Sequence, residues 1–179
     1  MKKVLATVIA VAALGTSRLD AVLVVPMTFE QLVSEASAVV FGRVTDVRGQ
    51  WTPDRQSIDS IVRVDALQYL KGEMGAAVVL RLPGGEAGGR IQVIPGAPTL
   101  RSGDWVVLFL KSRGPALLTP VGFTQGVFRV LRDPRSGAML VTPPPLKASQ
   151  AGRIIRGAAG RRALSVEAFA AAVRSVEAR

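Results

Sequence analysis

The stretch Trp105-Val-Val-Leu-Phe-Leu110 decides the fold class of this 179-residue chain. All six residues are apolar, and four of them are aromatic or β-branched, which favours a β-strand. An apolar run without alternation is typical of a strand that is buried on both of its faces. We therefore expect Trp105–Leu110 to be a central strand of a β-sheet.

Similar runs lie on both sides of this central strand. The other predicted strands are 38–47, 58–70, 77–82, 91–94, 127–131 and 138–141. Gly42 lies within the first of them, where glycine usually marks a bulge or a bend. Gly137 supplies a left-handed residue for the turn that joins the last two. About seven strands at this spacing predict a small β-barrel, closed or partly closed.

One helix is predicted on each side of the strands. Thr28 and Gln31 have the spacing of a capping box at the start of the first helix. Ser165 is the expected N-cap of the C-terminal helix, with Leu164 and Phe169 placed as a hydrophobic staple. Each helix carries one apolar stripe.

The first residues have the pattern of an export signal. Lys2 and Lys3 precede an apolar run from Val4 to Leu14, which is too short to cross a bilayer. We expect residues 1–21 to be a signal peptide, cleaved near residue 15 or 21, and the protein to be periplasmic or secreted. An uncleaved membrane anchor and a buried first strand of a cytosolic protein are the alternatives. After leader removal, no transmembrane span is expected.

The rest of the chain divides into three segments. We expect a β-barrel domain over 26–142, a proline-rich and basic linker over 143–163, and a helix over 164–179. The formal net charge of the chain is +10. Half of it lies from Lys147 onward, where the chain has seven basic and two acidic residues. This tail could form a basic surface helix or a solvated segment that attracts anionic partners.

The composition excludes several classes of chemistry. The chain has no Cys and no His, so Ser-His-Asp and Cys-His catalysis, disulfides and most transition-metal sites are ruled out. No two carboxylates are marked as a catalytic pair, although a long-range pair stays open. A serine activated by Lys71 or Lys111 also stays open. We therefore expect no enzyme activity, no cofactor and no metal.

Several segments together resemble a known family. These are Ala36-Ser-Ala-Val-Val-Phe-Gly-Arg-Val44, Val64-Asp-Ala-Leu-Gln-Tyr-Leu-Lys-Gly72 leading into Val78–Leu82, and Leu100-Arg-Ser-Gly-Asp-Trp-Val-Val-Leu-Phe-Leu110. They are similar to netrin-like modules, whose fold is a five-stranded OB-type barrel that tissue inhibitors of metalloproteinases also use. Pro83–Pro98 with Gly122–Phe128 also resembles uncharacterised exported bacterial proteins. The resemblance covers roughly residues 28–131.

This resemblance implies a fold class but not an inhibitory function. The expected fold is mainly β, a small OB-type or netrin-like β-barrel with a short N-terminal helix and a C-terminal helix. Metalloproteinase inhibitors of the family bind zinc through an N-terminal cysteine and are cross-linked by disulfides. This chain has no cysteine, so neither feature can be transferred.

The candidate contact surface consists of the segments 83–98 and 122–126. Its candidate partner-binding residues are Gly84, Gly85, Glu86, Gly88, Gly89, Arg90 and Gln125. The glycine-rich stretch could cradle an anion, could be an inter-strand loop, or could let a partner's backbone approach closely. Gln125 would either point into a cleft beside Glu86 or cap a turn.

These observations favour an exported, non-enzymatic binding module of the bacterial envelope or the extracellular space. Its partner would be an unidentified protein or polymer, and the oligomeric state stays open. One alternative is an OB-type binder of polyanions or nucleic acid. Nucleic acid is not the expected partner, because the chain has nine aromatic residues and only Phe169 lies among the tail cations. The other alternative is an inhibitor or partner of an exported protease.

Overall fold

The structure is a computed structural model that describes residues 26–112, 114, 118–144 and 162–179. The expected signal peptide lies outside the described residues, and so does most of the expected linker. Within the described part of the chain, the elements are α1 (Phe29–Glu35), β1 (Ala38–Trp51), β2 (Ile58–Lys71), β3 (Ala77–Pro83), β4 (Gly85–Ala87), β5 (Arg90–Gln92), β6 (Trp105–Ser112), β7 (Leu118–Pro120), the 3-10 helix η1 (Phe123–Gly126), β8 (Val127–Arg132), β9 (Met139–Thr142), β10 (Leu164–Ser165) and α2 (Val166–Glu177).

The main sheet closes into a barrel of five strands. Its order is β1-β2-β3-β7-β6, and β6 pairs back onto β1. Strands β8, β9 and β10 extend the sheet from β6 beyond the barrel. The strand pairs are antiparallel except β3 with β7. The predicted fold class is confirmed: the protein is mainly β, with a closed five-strand barrel, a helix near its N-terminus and a C-terminal helix.

Alternate residues of β6 supply two separate cores. Val106, Leu108 and Leu110 belong to the cluster that fills the barrel. Val107 and Phe109 belong to a second cluster, which lies between the outside of the sheet and the two helices. All five side chains are fully buried. The apolar run that is buried on both faces is therefore the central strand, as predicted.

The helices are fixed by their caps and by an aromatic cluster. The Thr28 hydroxyl and the Gln31 side chain form the predicted capping box of α1. The Ser165 hydroxyl accepts a hydrogen bond from the amide of Ala168 at the start of α2. Four rings hold both helices against the sheet, with centroid separations of 5.2–6.1 Å: Phe29, Phe109, Phe128 and Phe169.

Strand β1 bends where it passes Gly42. The pairing register with β2 shifts between Phe41 and Gly42, which is the predicted irregularity. A Cβ atom on Gly42 would lie 2.4 Å from the carbonyl oxygen of Asp65 on β2, so only glycine fits there. Beyond the bend, β1 runs to Trp51, four residues further than predicted. These residues pair with the start of β2 but lack an apolar alternation that could reveal them.

Candidate functional site

The predicted glycine-rich loop folds instead as a β-hairpin. Strands β4 and β5 pair through Gly85 with Gln92, Glu86 with Ile91, and Ala87 with Arg90. Gly88 and Gly89 form the two-residue turn, with φ of +58° and +73°. Two successive left-handed residues match the twist of a tight hairpin, which explains why a glycine pair makes a turn here and not an open loop.

The hairpin lies against the C-terminal end of β1 and the start of β2. A Cβ atom on Gly49 would lie 1.8 Å from the carbonyl oxygen of Glu86, and one on Gly85 would lie 2.3 Å from the Ser60 hydroxyl. The amide of Gly84 donates a 2.8 Å hydrogen bond to the carbonyl of Ile58. The close approach that glycine permits is therefore used by strands of this chain itself.

The two faces of the hairpin have different environments. The Arg90 guanidinium lies 5.9 Å from the ring centroid of Trp51, and Oε1 of Gln92 accepts a 2.5 Å hydrogen bond from the amide of Ile58. Glu86 and Ile91 share the opposite face, because directly paired residues point to the same side of a sheet. Both are exposed to solvent.

After β5 the chain continues as an irregular segment, residues 93–99, which we call the strap. A cavity of about 300 Å³ lies between the strap, the hairpin and the barrel wall. Its deep residues, Val62, Leu82 and Leu100, also belong to the barrel core. The cavity therefore adjoins the barrel core.

Three side-chain contacts fix the strap and the turn after it. The Thr124 hydroxyl donates a hydrogen bond to the carbonyl of Gly96. Arg129 on β8 donates from Nη2 to the carbonyl of Thr99 at 2.6 Å and from Nη1 to Asp104 at 2.8 Å. The structure thus joins the two predicted contact segments, 83–98 and 122–126, through Thr124.

Gln125 lies away from the solvent-facing part of this surface. Its side chain is buried, with 7% exposure. Its Oε1 accepts a hydrogen bond from the amide of Met27, and its Nε2 lies 3.4 Å from the carbonyl of Gly122. The hairpin and the strap therefore form the accessible part of the surface, whereas Gln125 connects η1 to the segment before α1.

Sequence reasoning did not single out the apolar side chains of the site. Ile91 and Val93 are 73% and 80% exposed. Phe123 is 39% exposed and has a φ of +60°, which is rare for a bulky residue. The apolar residues at 91 and 93, followed by Pro95 and Gly96, are the signal that could have revealed an exposed strand edge beside a turn.

The lysines considered as serine activators have structural contacts. Nζ of Lys71 donates a 2.6 Å hydrogen bond to the carbonyl of Val33 near the end of α1, and Lys111 pairs with Glu35 at 3.6 Å. Within the described residues, no group of three or more Asp and Glu side chains is placed to hold a metal ion. No helix in the same residues is long and apolar enough to span a membrane.

Two of the carboxylates with a lowered pKa, Asp54 and Asp133, lie in exposed turns. The pKa of Asp54 is lowered by hydrogen bonds from the Thr52 hydroxyl and the Gln56 amide. The pKa of Asp133 is lowered by the Ser136 hydroxyl and the Arg135 amide. Burial raises the pKa of the Tyr69 phenol. Each of these shifts arises from contacts outside the hairpin and the strap.

Comparisons of the chain with protein-family models, with curated proteins and with solved structures give no match. The resemblance to netrin-like modules therefore stays a prediction.

Proposed function

We propose that this protein is an exported, non-enzymatic binding module that captures an extended segment of a protein partner on the outward face of its β4–β5 hairpin. One observation carries the proposal. Ile91 and Val93 are the two most exposed of the large apolar side chains of the described residues, and they lie two residues apart, Ile91 on β5 and Val93 at the start of the strap. Exposed apolar side chains that lie together usually mark an interaction surface.

The hydrogen-bonding groups of β5 favour a partner in the extended conformation. Ala87 and Arg90 flank a two-residue turn, so they form a hydrogen-bonded pair. The next pair, Glu86 and Ile91, is then of the non-hydrogen-bonded type, and the amide and carbonyl of Ile91 point away from β4. An added strand can bind these groups and place its own apolar side chains beside Ile91 and Val93.

A peptide selection tests this mode of binding. Random peptides displayed on phage would be selected on the purified protein, and the enriched peptides would be synthesised and their Kd values measured. The double variant Ile91→Ser, Val93→Ser should weaken binding by at least about tenfold, equivalent to 1.4 kcal/mol. The matched control is Leu67→Ser, Leu131→Ser, which removes two apolar side chains with 58% and 56% exposure from other strands. Equal loss in both variants, or no enriched peptide, would overturn the proposal.

Export needs a test of its own. The intact mass of the protein from fractionated cells should correspond to a chain that begins near Thr16 or Val22, found outside the cytoplasm. A full-length chain in the cytosol would contradict the export part of the proposal, and it would leave the hairpin surface as a cytosolic interaction site.

The polyanion alternative rests on cations outside the hairpin. Several arginines of the barrel strands pair with acids: Arg48 with Asp46, Arg63 with Asp65, and Arg81 with Asp59. The largest excess of positive charge lies from Lys147 onward, with seven basic and two acidic residues, so we expect a polyanion to depend mainly on this tail. Binding that falls steeply with salt and is lost on removal of the tail cations would favour this alternative over the hairpin.

A further inference from the structure

The cavity under the strap differs in character from the rest of the surface. It adjoins the barrel core at Val62, Leu82 and Leu100, and the mouths of β-barrels are common sites for small ligands. Its volume of about 300 Å³ is at the lower end of the range of small-molecule sites. We infer that this cavity binds a neutral, apolar small molecule, at a site that shares Ile91 and Val93 with the proposed peptide-binding surface.

The charge of the wall indicates that the ligand is neutral. None of the described residues that line the cavity is ionisable, although 20% of the residues in the chain are charged. A charged group placed in the cavity would lose water and gain no counter-ion. Complementarity with this wall therefore selects a ligand without formal charge.

The hydrogen bonding of the wall indicates that the ligand is apolar. The Ser60 hydroxyl donates a 2.7 Å hydrogen bond to the carbonyl of Gly84, and Oε1 of Gln92 accepts from the amide of Ile58. These two side chains are thus engaged with the protein itself. The apolar lining includes Ile91 and Val93, which are 73% and 80% exposed, and an apolar ligand would cover them and remove them from water.

Two fluorescent probes of the same ring skeleton test the inference. N-phenyl-1-naphthylamine is neutral, and 8-anilinonaphthalene-1-sulfonate carries one negative charge on an otherwise similar frame. Titrated into the full chain, the neutral probe should bind saturably with one-to-one stoichiometry. The anionic probe should bind at least about tenfold more weakly. No saturable binding of the neutral probe, or equal binding of both, would overturn the inference.

A variant that fills the cavity locates the probe. Ala97 lines the cavity from the strap, so Ala97→Trp should weaken binding of the neutral probe by at least about tenfold. The matched control is Ala76→Trp, which introduces the same side chain at an exposed position that does not line the cavity. Equal weakening in the two variants would overturn the inference. Circular dichroism establishes that each variant is folded.

A measurement on the unsubstituted protein decides the case if Ala97→Trp fails to fold. Nuclear Overhauser effects between the neutral probe and the methyl groups of Val62 and Leu82 would support the site. Effects only to the exposed methyl groups of Leu67 or Leu131 would overturn it. A protein that binds the probe in the cavity but selects no peptides would keep this inference and overturn the proposed function, and the converse result would do the opposite.

Discussion

The backbone amide of Met27 donates a 2.7 Å hydrogen bond to Oε1 of Gln125, across a sequence separation of 98 residues. The two residues also meet at Gly122, where a Cβ atom would lie 2.6 Å from the sulfur of Met27. The neighbouring Thr124 binds the carbonyl of Gly96 in the strap. The entry to α1, the helix η1 and the strap therefore form one continuous set of contacts.

Removal of the Gln125 amide should destabilise the fold. Gln125→Leu keeps the size of the side chain but leaves the Met27 amide without its acceptor, which should lower the free energy of unfolding by about 1–3 kcal/mol. Urea unfolding followed by circular dichroism measures the change. Gln50→Leu, at an exposed position on β1, is the control and should change it by no more than about 0.5 kcal/mol. Equal effects would show that the buried hydrogen bond contributes nothing specific.

Gly49→Ala should displace the hairpin from β1. The backbone at Gly49 is not left-handed, so a side chain is excluded only by lack of space. An added Cβ atom would lie 1.8 Å from the carbonyl oxygen of Glu86. We expect a cost of about 1–3 kcal/mol. Hydrogen exchange of the Gly84 amide, which binds Ile58, should become faster.

Gly75→Ala is the control for this change. Gly75 has a φ of +87° and nothing within 4 Å of an added Cβ, so its substitution strains the backbone without a clash. It should leave hairpin exchange unchanged relative to global unfolding. If Gly49→Ala also leaves the Gly84 amide protected, the hairpin does not depend on this close contact.

The stability of the fold should depend on the planar guanidinium of Arg129 and not only on its positive charge. It holds the carbonyl of Thr99 and the carboxylate of Asp104 with two different nitrogens. Because the ion pair is partly exposed, we expect Arg129→Ala to cost only about 1 kcal/mol in urea unfolding. Arg129→Lys should recover less than half of this loss, since an ammonium is a point charge. Full recovery of stability in Arg129→Lys would show that the planar guanidinium is not required.

The turn at Asp133 should lose stability in acid. Its carboxylate accepts hydrogen bonds from the Ser136 hydroxyl at 2.6 Å and the Arg135 amide at 3.0 Å, which lowers its pKa below the ordinary value of 3.8. Because the folded pKa is the lower one, the stabilisation is complete above the unfolded pKa. It is lost as the pH falls through the folded pKa.

A comparison with Ser136→Ala tests this direction of the pH dependence of stability. The variant should be less stable than the wild type at neutral pH, and the two should converge as the pH falls below about 4. An NMR titration should show a higher pKa for Asp133 in the variant than in the wild type. A wild-type carboxyl that titrates at or above 3.8 would contradict the prediction.

Local sequence patterns predicted those elements whose structure is determined by residues within the element itself. The alternating burial of β6 follows from its unbroken apolar run, and the start of α1 follows from the Thr28 capping box. The turn after β8 has a left-handed Gly137, with a φ of +72°, as expected. In each case the physical cause lies within a few residues of the feature.

The candidate site could not be predicted in the same way. Strands β4 and β5 have three residues each, too few for a period to be visible. The hairpin is placed by contacts between Gly49 and Glu86 and between Ile58 and Gln92, which are distant in sequence. The cavity combines residues from β2, the end of β3, the hairpin and the strap. Such a juxtaposition follows from the topology and not from any one segment.

Phe169 should be the residue through which α2 contributes most to the fold. Its ring is 1% exposed and lies 5.4 Å from that of Phe29, 6.1 Å from Phe109 and 5.2 Å from Phe128. Phe169→Ala would leave a cavity among these rings, and we expect it to lower the free energy of unfolding by about 3–5 kcal/mol. Phe123→Ala, the same change at a side chain with 39% exposure, should cost far less in the same urea titration. Equal costs would mean that the buried ring of Phe169 contributes no more to the free energy of unfolding than an exposed ring does.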